Sequence, residues 1–171
     1  KRGNIVEIPR ELPLPYRDNS LEERAKPYPL TPELGTVVGQ HEGAHFYTVG
    51  QRKGLGIGGK ALPLFVLAVD VQTNTVYVGQ GHDHPYLNRT VVFMANEEVH
   101  WVNPMKEIVI GEKLPVMARL RYRQPLQVAE LYRVEKGCYL VFETPQRGVT
   151  PGQFAAWYSG DELLGSAPVF Y

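Results

Sequence analysis

The chain has 171 residues, 43% hydrophobic and 21% charged, with 18 basic residues against 18 acidic ones. That composition belongs to a folded globular protein and excludes a disordered chain, and no apolar run reaches the roughly 18–20 residues of a membrane-spanning helix. The charge balance also holds locally, with 10 Lys and Arg against 11 Asp and Glu over residues 1–100 and 8 against 7 over 101–171, so nucleic acid would have to be met by local patches rather than by an overall field.

Residues 1–34 read as an extended, proline-rich opening segment. Six prolines, at 9, 13, 15, 27, 29 and 32, leave room for one short helix near Leu21–Ala25. From residue 36 the pattern is β. Strands are predicted over 36–40 and 44–50 around a His-Glu-Gly turn, and 64–71 with 75–79 form a hairpin that turns at Gln72-Thr73-Asn74. Two more are predicted at 90–95 and 98–102, ending at Asn103-Pro104. A second series follows at 115–123, 127–135, 138–143, 153–158 and 167–171, with turns at 135–137 and 159–161. The fold class is therefore mainly β: a small central β-rich domain over 35–107, then a small barrel or sandwich over 108–171.

The stretch from Tyr47 to Gly59 holds five glycines with Arg52 and Lys53 among them. Glycine weakens helix and strand alike, so this backbone is expected to approach something closely, and the two cations make that something anionic. His41-Glu42-Gly43-Ala44-His45 spells H-E-x-x-H, but a zinc site of that type needs a helix, and glycines and strand-like runs flank it here. Gly54 to Gly59 spells G-x-G-x-x-G, yet it leads through Pro63 into a strand rather than a helix N-terminus. His82-Asp83-His84 sits among turn residues and reads as a surface loop. The single cysteine, Cys138, rules out a disulfide framework and a cysteine zinc site, fits a reducing compartment, and in its apolar run reads as an inert core thiol.

Strand alternation places Arg119, Arg121 and Arg123 on one face, and Leu120 and Tyr122 on the other. Two readings stay open: a solvated face paired with Glu130 or Glu143, or a contact to phosphates, which the planar guanidinium suits. Residues 145–153 form a second loop whose side chains can bond phosphate or bases. Tyr122 or Trp157 could stack an unpaired base, although core packing is the default for both.

Four long segments stand in order between about Gly35 and Tyr171: GTVVGQHEGAHFYTVGQRKGLGIGG, VDVQTNTVYVGQGHDHPYL, RLRYRQP and TPQRGVTPGQFAAWYSGDELLGS. In them the chain resembles the tRNA-specific 2-thiouridylase family. The resemblance implies an enzyme that uses ATP, with Mg, to adenylate the 2-oxygen of a tRNA wobble uridine, after which a cysteine persulfide, charged by a sulfur-relay partner, delivers sulfur. It implies that the ATP-binding domain and both catalytic cysteines precede this chain. The chain, which opens on Lys, is then expected to be a piece of a longer cytoplasmic protein, inactive alone, with no catalytic residue, metal or cofactor of its own. It also implies an elongation-factor-like C-terminal β-barrel that holds tRNA, with Arg121, Tyr122 and Gln153 as contacts and Arg52 and Lys53 facing the substrate. Nothing transfers to residues 1–34. The alternative is a β-barrel module whose arginines dock carboxylates of the sulfur-relay protein.

Overall fold

The computed structural model describes residues 1–171. Proline at 9, 13 and 15 ends a first strand rather than forbidding one. The sequence reading placed no strand before residue 36, yet β1 (Gly3–Glu7) runs ahead of the first proline. Ile5 and Val6 are both buried, so the run shows no alternation between apolar and polar and gives no strand signal of its own.

The chain divides into two units, Lys1–Pro15 with Tyr28–Asn88, and Tyr16–Pro27 with Arg89–Tyr171. In the first, β2 (Thr36–His41), β3 (Leu64–Asp70) and β4 (Thr75–Gln80) join β1 in the order β2-β1-β4-β3. β1 is antiparallel to β2 and parallel to β4, and β3 and β4 form the expected hairpin. Its turn is set chemically. Asp70 Oδ1 accepts from Gln72 N at 3.0 Å and Thr73 N at 3.2 Å, and Asn74 takes the left-handed conformation at φ 56° that asparagine tolerates. Side chains alternate across the sheet, so Ile5, Val66, Val76 and Val78 build one core and Val6, Phe65, Leu67 and Tyr77 a second.

The strand predicted over 44–50 is absent. Asn74 Oδ1 accepts from Ala44 N at 3.0 Å and the chain there turns into a 3-10 segment, Ala44–Phe46. Only Gly50 and Gln51 reach the sheet, through bonds of 2.8 and 2.9 Å to the backbone of Val66.

The second unit is one curled sheet in the order β5-β9-β8-β7-β10-β11-β6. Its strands are β5 (Asn88–Ala95), β6 (His100–Trp101), β7 (Lys113–Arg119), β8 (Gln127–Val134), β9 (Gly137–Arg147), β10 (Phe154–Ser159) and β11 (Glu162–Pro168). Beyond β11, Phe170 N donates to Phe93 O at 2.8 Å and Phe93 N to Tyr171 O at 2.7 Å, which ties the chain end back to β5. Val92, Met94, Leu131, Leu140, Phe142 and Trp157 fill the inside. On the outside Val91, Phe93 and Tyr139 are covered by Ala25 and Leu21 of α1 (Leu21–Ala25). That short helix is started by Ser20, whose hydroxyl accepts from Glu23 N, an N-cap bond.

Strand extents differ from the sequence reading in four places. The 98–102 strand shrinks to two residues after a 3-10 turn at Asn96–Glu98. β7 stops at Arg119 rather than 123, and β9 continues to Arg147 where a loop was expected. The last strand is Glu162–Pro168, not 167–171. No helix is long and apolar enough to cross a membrane.

Candidate nucleic-acid interface

β7 ends because side chains close a turn across it. Leu120, 2% exposed, is the last residue to point into the core. Its N–H goes to Gln124 Oε1 at 2.9 Å, and Gln124 N returns to Arg121 O at 3.1 Å. Gln124 Nε2 then donates to Gln146 Oε1, and the buried Gln146 is fixed by its own Nε2 on Thr144 O at 2.8 Å. Arg121, Tyr122 and Arg123 therefore ride on a fastened turn rather than alternating along a strand. The one-face arrangement of three arginines is corrected accordingly: Arg119 alone projects from β7.

Arg121 Nη2 donates to Arg147 O at 2.8 Å and to Gly148 O at 3.1 Å. Gln153 Nε2 donates to the same Gly148 carbonyl at 3.1 Å, so the fold brings these two predicted residues onto one acceptor. Gly148 and Gly152 have φ of 66° and 88°, and bonds between Gly152 and Val169 (2.9 Å) and Val169 and Gln153 (2.7 Å) shape the loop. Gln153 Oε1 is shielded from solvent without a partner.

Arg119, Arg121 and Arg123 pair with no carboxylate, so the Glu130 and Glu143 pairing is not found. Arg119 instead donates Nη2 to Tyr158 Oη at 3.0 Å. Its guanidinium lies 5.6 Å from the Tyr158 ring centre and 5.4 Å from that of Tyr122. Tyr122 is 85% exposed, whereas Trp157 is fully buried and cannot stack a base. Phe154, 65% exposed, lies two residues along β10 from Ala156, the register partner of Arg119, and so projects from the same face.

In the first unit Arg52 and Lys53 are exposed and without side-chain partners. Gln51 shapes their turn, accepting from Thr48 N at 3.1 Å and donating to Lys53 O at 2.8 Å. Leu55 anchors the loop in the core. An open cleft of about 360 Å³ is lined by Arg52, Leu55, Ile57 and Leu64 with two glycines. The run 54–59 continues into β3 and not into a helix, so the phosphate cradle that ATP binding of that type requires is not built from these residues.

Among the other candidates, His41 and His84 have both ring nitrogens bonded. His41 bonds Asn74 O at 3.0 Å and accepts from Gly43 N at 3.0 Å, while His45 is exposed, its ring tilted 38° against that of Phe46. The His82–His84 stretch is not simply a surface loop. His84 is fully buried, bonded to Ile8 O at 2.9 Å and Tyr86 N at 3.1 Å. Arg10 holds the Asp83 carboxylate at 2.7 Å and lowers its pKa to about 2. Burial pushes the Cys138 thiol up to about 11, far from the thiolate that nucleophilic chemistry needs.

Residues 23–80 match the tRNA methyl transferase PRC-barrel domain and residues 92–169 the aminomethyltransferase beta-barrel domain. The chain is 47% identical over 177 aligned residues to the tRNA-specific 2-thiouridylase MnmA of Flavobacterium johnsoniae, an alignment that covers 99% of this chain and 45% of that relative. The MnmA of Christiangramia forsetii is 45% identical with the same coverage, and that of Stutzerimonas stutzeri 42% over 79% of the chain. The chain belongs to the tRNA-specific 2-thiouridylase family. It spans a little under half the length of the first two relatives.

Within this thiouridylase sequence, the residues that reading by motif missed are Gln124, Gln146 and Tyr158. Gln124 stands inside the RYRQ run and Gln146 inside TPQRG, so both motifs were visible. Their mutual bond was not, because 22 residues separate them.

Proposed function

We propose that this chain is the tRNA-holding part of a tRNA 2-thiouridylase. In the whole enzyme, ATP would activate the 2-oxygen of a wobble uridine and a persulfide, supplied through a sulfur-relay protein, would replace it with sulfur. No step of that chemistry is assigned to residues of this chain. Arg121 and Tyr122 would meet backbone and base of the RNA, with Gln153 shaping the loop beside them. Arg52 and Lys53 would face the substrate from the first unit.

The observation that carries this reading is the fastened turn that leaves Tyr122 85% exposed beside guanidinium groups without carboxylates. Arginine forks and exposed aromatics are what single-stranded RNA contacts use. With a net charge of zero, affinity should be modest, since the number of phosphates neutralised sets both affinity and its salt dependence. In the full-length enzyme, Arg121→Ala is expected to weaken tRNA binding about tenfold at low salt and to lower the salt slope by about one. Wild-type affinity would remove the assignment.

Docking of an acidic protein on the same surface is the second reading, favoured by Val128 and Phe154, 53% and 65% exposed, on that side of the sheet. A shift assay with tRNA against an acidic sulfur-relay protein separates the two.

A further inference from the structure

Tyr122 is a solvent-exposed ring on a turn that cannot wander. Gln124 closes the turn from within, and Arg121 pins it to the carbonyls of Arg147 and Gly148. The ring itself has the Arg119 guanidinium 5.4 Å from its centre. Arg119 in turn is held from below, donating to Tyr158 Oη at 3.0 Å with its charge 5.6 Å from that ring. The order across the surface is Tyr158, Arg119, Tyr122: a cation between two rings, the outer one open to solvent.

The fold gains little from this arrangement. Arg119 closes no turn and meets no carboxylate, and a ring left in water contributes no buried area. A stacking surface has these properties. Every base has a π-face that an exposed ring can match without regard to sequence. A tyrosine with two torsions loses little freedom when a neighbour fixes it. Arginine rather than lysine suits the middle position, because a planar guanidinium can lie against one ring while an in-plane N–H reaches the hydroxyl of another.

We propose that Arg119, braced by Tyr158, is a positioning residue that holds the Tyr122 ring as a stacking platform for one unpaired base of the tRNA. This rests on the reading that the same face holds tRNA. The guanidinium fixes the angle of the platform and keeps positive charge beneath the stacked nucleotide.

The test is equilibrium tRNA binding by the full-length enzyme across a range of salt. Tyr122→Leu and Arg119→Lys are each expected to weaken binding about tenfold while leaving the salt slope unchanged. Tyr122→Trp should keep the affinity, and the emission gained over wild type should be quenched by tRNA. Adding Arg119→Lys to that variant should reduce the quench. Full affinity of Arg119→Lys, whose charge and stem persist, overturns the proposal. So does a drop in slope of about one for Arg119→Ala, which would make Arg119 a phosphate contact instead. If Arg121→Ala weakens binding but Tyr122→Leu and Arg119→Lys do not, tRNA holding stands and the platform falls. If none of the three weakens it, both fall.

Discussion

His84 has no exposed surface, and both ring nitrogens are committed to the backbone, one to Ile8 O and one to Tyr86 N–H. The second bond requires a bare Nδ1, so the folded ring is neutral. Burial lowers its pKa from the usual value near 6.5, opposed in part by the bond to Ile8 O. As pH falls, the unfolded chain therefore takes up the proton first. The stability tied to the neutral ring is complete above about pH 6.5 and declines below it. The first unit is expected to unfold at less urea at about pH 5 than at about pH 7.5, and His84→Gln should flatten that difference. An unchanged pH dependence in the variant would remove His84 as its cause. The sequence showed this histidine only as one of a pair around Asp83. Its burial follows from Ile8, 76 residues away, which no local pattern reports.

At the scale of elements, alternation was a sound guide until side chains intervened. It set Leu120 on the face opposite Arg119, and Leu120 is buried. It failed from Arg121 on because Gln124 caps Leu120 N–H and turns the chain. β9 was read too short for the opposite reason: proline and glycine at 145 and 148 looked like a loop, yet the strand continues to Arg147, since a proline is tolerated where no ladder N–H is needed. The turn into β9 carries a tighter constraint. A Cβ added to Gly137 would stand 2.0 Å from Met94 O and 2.9 Å from Asn96 N. Both are backbone atoms that cannot swing aside. Gly137→Ala is expected to destabilise the second unit by about 3 kcal/mol, read as a lower urea midpoint; an unmoved midpoint would show that β5 and β9 can part at no cost.

For the whole molecule, the chain order and the units do not coincide. Residues 16–27 belong with the second unit although the first unit's strands precede and follow them. α1 covers Val91, Phe93 and Tyr139. Arg89 donates to Ala25 O at 2.7 Å, and Arg24 to Thr90 Oγ1 at 3.1 Å. A polypeptide beginning at Arg89 should therefore fold with less stability than one that also carries residues 16–27, by about 2 kcal/mol for the apolar area uncovered. It should also bind more of a hydrophobic dye. Equal urea midpoints for the two would mean that α1 contributes nothing to the sheet.

The amino-acid sequence by itself determined the mainly β class, the hairpin turn at Gln72-Thr73-Asn74 and the family, because turn chemistry, alternation and motif spelling are set within a few neighbouring residues. Tertiary structure alone decided that Gly3–Glu7 enters a sheet, that α1 caps the second unit, and that of three nearby arginines one stacks between rings, one grips backbone carbonyls and one stays free. Those outcomes depend on distant partners: Arg147 lies 26 residues from Arg121, Tyr158 39 from Arg119 and Arg89 64 from Ala25. Only the closing of long loops brings such partners within bonding distance.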